Sequence, residues 1–134
     1  MKLSIIMYHY VRELHYSRYP EIKGLETDHF REQITYIKKH YNVISGANLL
    51  AAAEADALRN LPPRALLLTF DDGYVDHFTQ VFPVLHREEL SGCFFPSAKS
   101  ILENQVLDVN KIHFVLARVP DKQAIVDYIF QMLG

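Results

Sequence analysis

The chain has a single cysteine, Cys93, and no tryptophan. A lone thiol has no partner within the chain, so no internal disulfide staples the fold and a reducing compartment fits. No apolar stretch approaches the roughly 20 residues that a membrane-spanning helix needs. Neither sign of charge is in surplus: 14 basic against 16 acidic residues leave a net −2 with His neutral. That balance argues against nucleic acid or an acidic membrane surface as the main partner. Neither Gly-x-x-x-x-Gly-Lys nor Gly-x-Gly-x-x-Gly occurs, so nucleotide binding lacks its glycine cradle. No two of the seven histidines stand four apart, which excludes a helical His-x-x-x-His metal pair. Internal repeats and low-complexity tracts are also missing; Ala51-Ala52-Ala53 simply suits a helix.

What remains is a globular composition. Hydrophobic residues make up 49% and charged residues 22% of 134, enough apolar material to bury the core of one small domain. The start, Met1-Lys2-Leu3-Ser4-Ile5-Ile6-Met7, runs at once into Tyr8, His9 and Arg12. It reads as a first strand over residues 3–8 rather than a signal peptide, which points to the cytoplasm. Residues 9–25 read as irregular. Phe30, Ile34, Ile37 and Tyr41 fall at helical spacing, with Thr27 as the expected cap. Val43-Ile44 is a short strand, a helix starts at Ser45 or Gly46 and runs to about Arg59, and Pro62-Pro63 leads into a strand at 65–70. Tyr74, Phe78, Val81, Phe82 and Leu85 suggest one helical face, kinked or restarted at Pro83. Gly92-Cys93-Phe94-Phe95 is a further strand, followed by helical segments near 98–108, 110–119 and beyond Pro120. Alternating strands and helices predict an α/β fold with a parallel sheet.

The richest stretch is Leu66-Leu67-Leu68-Thr69-Phe70-Asp71-Asp72-Gly73. Three consecutive leucines require cover on both faces, as in an interior strand. Active sites of such folds lie beyond the C-terminal strand ends. Two adjacent carboxylates there repel unless a cation or a shared proton relieves them. One could bind a cation while its neighbour takes a proton from water, as metal-assisted hydrolysis requires. The plainer alternative is an Asp that caps the next helix, with Gly73 making the turn. His9 follows the first strand as Asp71 follows its own, so it either faces the carboxylates or is tied to a loop. Tyr74 either lines a substrate groove or packs. His29, His40, His77 and His86 read as solvated helix positions, His113 as a packing residue, and Cys93 as buried and inert.

Thr69-Phe70-Asp71-Asp72-Gly73, the opening Met7-Tyr8-His9-Tyr10-Val11 and the segment Gly92-Cys93-Phe94-Phe95 together resemble the polysaccharide deacetylases, the carbohydrate esterases of family four with their NodB homology domain. The resemblance runs from about residue 3 to residue 118, with the motifs in the family's order. It implies about half of a distorted (β/α) barrel, the N-terminal part of a single deacetylase domain spanning residues 1–134. It also implies a divalent metal, zinc in many members, and hydrolysis of N-acetyl or related acyl groups on amino sugars. Carried over by position, Asp71 is the general base, Asp72 a metal ligand, and His9 and Tyr74 line the site.

One family element has no counterpart. The His-Ser/Thr-x-x-His motif, whose two histidines complete the metal site, is not found in residues 96–134. Zinc sites usually need three protein ligands, so the expectation is weak metal binding by this chain alone. Two readings stay open: a deacetylase represented by part of its domain, acting on an N-acetylated glycan, or an inactive fragment or subunit that serves in binding or assembly. A partial barrel also leaves sheet edges and an apolar face exposed, which homo-oligomerisation would cover.

Overall fold

The computed structural model describes residues 3–134; Met1 and Lys2, the start of the segment read above as strand rather than signal peptide, lie outside it. Four strands form the sheet: β1 (Leu3–Tyr8), β2 (Asn42–Val43), β3 (Ala65–Asp72) and β4 (Cys93–Pro96). The helices are α1 (Thr27–His40), α2 (Gly46–Glu54), α3 (Phe82–Arg87), α4 (Ala98–Leu102), α5 (Asp108–Arg118) and α6 (Lys122–Leu133). All pairings are parallel and all involve β3. β1 takes one edge of β3, from Leu3 beside Ala65 to Tyr8 beside Phe70. β2 and β4 share the other edge, β2 at Ala65–Leu66 and β4 at Thr69–Asp72. β3 is thus the interior strand that its leucines predict, and Ala65 through Phe70 are buried.

Side chains of a strand alternate between faces. Leu66, Leu68 and Phe70, with Tyr8 of β1, point to one side and meet Phe30, Ile34 and Ile37 of α1 and Val81, Val84 and Leu85 near α3. Phe70 is fully buried, stacked between Tyr8 at 5.2 Å and Phe94 at 4.9 Å. On the other side, Ala65 and Leu67 are covered by Ile44, Leu49 and Leu61. Farther along that face the cover ends: Ile5, Met7 and Phe95 are 58%, 61% and 56% exposed. This is the open apolar face expected of a partial barrel.

Local chemistry sets the ends of the helices. Ser45 caps α2 through a reciprocal box with Asn48. Thr27 is not the cap of α1; Glu26 is, and Thr27 begins the helix with its buried hydroxyl unpartnered. Glu26 instead accepts the backbone N–H groups of Leu14 and His15, which ties down the irregular 9–25 segment. α2 ends at Glu54, short of the expected Arg59, and the chain turns through Asp56 in the left-handed region (φ 49°). The single apolar face expected over residues 74–85 is split. A π-helical turn over His77–Val81 precedes α3, immediately before Pro83, which has no N–H to extend a regular ladder. The wider turn rotates the pattern, so Val81 and Leu85 are buried whereas Phe78 and Phe82 are 74% and 48% exposed.

Replacing Phe70 with Ala removes the ring shared by β1, β3 and β4. We expect Phe70→Ala to lower unfolding free energy by about 3–5 kcal/mol in denaturant titration. A loss below about 1 kcal/mol would show that the aromatic stack does not organise the core.

Candidate active site at the end of the central strand

The last residues of β3 separate the two carboxylates. Asp71 keeps extended pairing beside Phe95, on the same face as Thr69 and Leu67. Asp72 and Gly73 both adopt the left-handed region, with φ 73° and 67°. A non-glycine residue there carries a backbone cost of about 1–2 kcal/mol. Pro96 lies against Gly73 so closely that a Cβ on Gly73 would meet the proline Cβ at 2.6 Å and its Cα at 2.9 Å. Glycine at this position therefore answers both the backbone angle and the approach of β4.

Asp72 turns toward a polar cluster. The Tyr74 hydroxyl donates to Asp72 Oδ2 at 2.5 Å. Asn110 of α5 donates from Nδ2 to the Tyr74 oxygen at 2.7 Å and to the Tyr10 oxygen at 3.2 Å. The Tyr74 and Tyr10 rings stack at 4.2 Å, and His113 Nδ1 lies 3.4 Å from the Tyr10 oxygen. Tyr10 and Asn110 are buried. Burial and the adjacent Asp72 carboxylate raise the Tyr74 pKa well above the usual phenol range, so the hydroxyl keeps its proton and serves as a donor.

Asp71 is half-buried and forms no side-chain hydrogen bond among the described residues. Neither carboxylate accepts a backbone N–H, and Asp76 at the start of the following helical turn makes no side-chain cap either, so the capping alternative has no hydrogen bond behind it. His9 follows directly on the Tyr8–Phe70 pair, level with Asp71, but no hydrogen bond joins its ring to either aspartate among the described residues. Its carbonyl accepts from His77 Nε2 at 2.7 Å. Tyr74 does pack, on Tyr10, and it also lines a pocket of about 240 Å³ with Gly73, His77, Phe94 and Pro96.

Several residues differ from their sequence reading. His77 is not solvated: it is buried among Phe70, Tyr74 and Phe94, its Nε2–H committed to His9 and its Nδ1 without a partner. It shares the buried face with Val81 and Leu85, four and eight residues on. Cys93 is half-buried rather than buried. Asn110 escaped notice because a single Asn within a helical pattern carries no local signal. Arg12 pairs with buried Asp76 at 2.6 Å, binding the segment after β1 to the helical turn behind the site.

The donor set does not make a metal centre. Among the described residues no three His, Cys, Asp or Glu side chains are grouped to hold an ion, and Oδ2 of Asp72, the expected ligand, is engaged by Tyr74.

Four parallel strands among the described residues, the central one ending in an acid pair, carry helices on both faces. The sequence model of the polysaccharide deacetylase family matches residues 58–122. Over 74 residues the chain is 37% identical to the poly-β-1,6-N-acetyl-D-glucosamine N-deacetylase of Escherichia coli K12, and equally to that of E. coli O157:H7. The match covers 54% of this chain but 11% of each relative, so the chain spans about a tenth of the length of these relatives. Among solved structures, a de-N-acetylase from Aggregatibacter actinomycetemcomitans superposes with a TM-score of 0.61 at 24% identity, over 78% of this chain and 42% of that one. The Streptococcus pyogenes deacetylase PplD, solved with acetate, gives 0.56 at 19% identity, over 84% and 50%. These likenesses establish the fold: this chain adopts part of the deacetylase barrel.

The Gly73 geometry is testable. Gly73→Ala should lower stability by about 1–3 kcal/mol, read as a reduced thermal midpoint. An unchanged midpoint would mean that Pro96 and the strand end move apart freely.

Proposed function

We propose that the chain belongs to a hydrolase that removes acetyl groups from N-acetylated amino sugars of a glycan, with Asp71 as general base. The observation that carries this reading is the state of Asp71. It stands at the C-terminal end of the central strand, half-exposed and free of internal hydrogen bonds, within the segment that the polysaccharide deacetylase family model matches. An ionised carboxylate so placed takes a proton from water. The water oxygen adds to the acetyl carbonyl, the C–N bond breaks, and the amine leaves with a proton, giving acetate and a free amino sugar. His9, level with Asp71, and Tyr74, at the rim of the adjoining pocket, are assigned to the lining of the substrate site. The relatives' substrate, poly-β-1,6-N-acetyl-D-glucosamine, is the first polymer to test.

Asp72 is the carboxylate we assign to a divalent cation, zinc in the family resemblance. Among the described residues no group of three or more His, Cys, Asp or Glu is placed to hold an ion. Incubation with β-1,6-linked N-acetylglucosamine oligomers, with and without added Zn²⁺, should release acetate, and Asp71→Asn should slow release by roughly 10²–10⁴-fold. Equal rates for the two proteins would remove Asp71 from the chemistry, and no release under either condition would remove activity from this chain.

The exposed inner face favours a second reading, in which the chain acts by assembly. Ile5, Met7 and Phe95 offer an apolar surface at the unfinished side of the sheet. Under that reading light scattering gives a mass above 15.6 kDa that falls toward the monomer in a Met7→Lys variant. A monomeric mass at high concentration would exclude it.

A further inference from the structure

The pairing of β1 with β3 ends at Tyr8 and Phe70, so His9 and Asp71 stand one residue past the last pair. The His9 carbonyl is taken up by a side chain: His77 Nε2–H donates to it at 2.7 Å. A carbonyl only accepts, so Nε2 carries the proton. The residue before His77 holds the same segment at a second point. Buried Asp76 accepts from Arg12 Nε at 2.6 Å, and the Arg12 guanidinium lies 4.8 Å from the centre of the Tyr10 ring. Two consecutive residues at the start of the helical turn behind the acid pair thus grip the segment that follows β1.

Holding the His9 carbonyl fixes the planar peptide between His9 and Tyr10, and with it the backbone torsions on either side. Packing alone does not account for a histidine at position 77. The side chain is 4% exposed and enclosed by Phe70, Tyr74 and Phe94, and its Nδ1 has no partner among the described residues. A buried nitrogen without a partner is unfavourable, and an apolar side chain would fill the space without it. What the imidazole adds is its one bond to His9. The grip also starts from the right frame, because Asp76 and His77 follow directly on the turn that presents the acid pair. We propose that Asp76 and His77 form a two-point clamp that positions His9 level with Asp71 for binding of the glycan, Asp76 through Arg12 and His77 through the His9 carbonyl. The proposal rests on the reading of His9 as a lining residue of a deacetylase site. Arg12, Asp76 and His77 are positioning residues, acting on the substrate only through His9.

The test is a double-mutant cycle between His77 and His9 in the whole chain. It reads the affinity for β-1,6-linked N-acetylglucosamine oligomers from amide shift changes around Gly73. His9→Ala should weaken binding about fivefold, the change that corresponds to one hydrogen bond. His77→Phe keeps an aromatic ring but removes the donor, and should weaken binding by a similar factor. The double variant should bind no worse than either single one, because a clamp has nothing to position once the His9 ring is gone. His77→Gln, whose amide supplies an N–H donor, should restore affinity to within about twofold of wild type. If His77→Phe folds poorly, Arg12→Gln opens the other point of the clamp and runs through the same cycle. Losses that multiply, to about 25-fold in the double variant, mean that His77 acts independently of His9, and the clamp is wrong. Wild-type affinity in His77→Phe, or a loss that His77→Gln does not repair, also overturns it. Wild-type affinity in His9→Ala removes His9 from the site and the clamp with it. A chain that binds no oligomer removes the glycan reading as well as the clamp, whereas the other adverse outcomes leave that reading standing.

Discussion

Two consecutive residues in the left-handed region, Asp72 and Gly73, decide what this strand end presents. Had β3 continued in regular extended backbone, successive side chains would simply have alternated between the two faces of the sheet. The turn instead lets Asp71 remain on the inner face beside Phe95 while Asp72 swings to Tyr74. Pro96 of β4, lying on Gly73, holds the turn from the neighbouring strand. The buried body of β3 offsets this local strain: a strand sealed from Ala65 to Phe70 and paired on both edges does not yield easily at its tip.

From that turn the rest of the site follows by attachment. Tyr74 joins Asp72 to Tyr10 by stacking and to Asn110 by a hydrogen bond, so segments far apart in the sequence meet within one cluster. The phenol of buried Tyr10 and that of half-buried Tyr74 both need partners, and a single amide donates to both. Behind the site, Arg12 and buried Asp76 form a second tie between the segment after β1 and the start of the helical turn. Loss of one partner would leave the other charge poorly solvated, which makes such ties more costly to break than to replace.

Much of this was legible in the residues. The three leucines announced the interior strand, the spacing of Phe30, Ile34 and Ile37 announced α1, and Asp-Asp-Gly marked the strand end where the acid pair stands. These signals are local: a period, a run, a break. Phe78 and Phe82 were misread because the helical period of 3.6 fails across a π-helical turn, and nothing in His-Phe-Thr-Gln-Val announces one except the proline that follows. Glu26 takes the N-cap position of α1 without a side-chain cap bond, because its carboxylate is spent on two loop N–H groups, a tertiary demand that no capping preference contains. Asn110 was invisible for the same reason. Its partners lie 36 and 100 residues away, and only the folded chain brings them within reach.

The division between the two aspartates has a consequence for how such a site works. Adjacent carboxylates in one environment would raise each other's proton affinity and blur into a coupled pair. Here the backbone sends them to different surroundings. Asp72 is held by a neutral donor whose own proton is secured by burial, so its negative charge is partly satisfied within the protein. Asp71 has no internal donor among the described residues and looks to solvent or substrate for one. A base needs an unspent lone pair, whereas an electrostatic anchor needs a fixed position, and one carboxylate does not meet both demands well. Under the proposed reading, the left-handed turn at Asp72–Gly73 lets Asp71 meet the first demand and Asp72 the second.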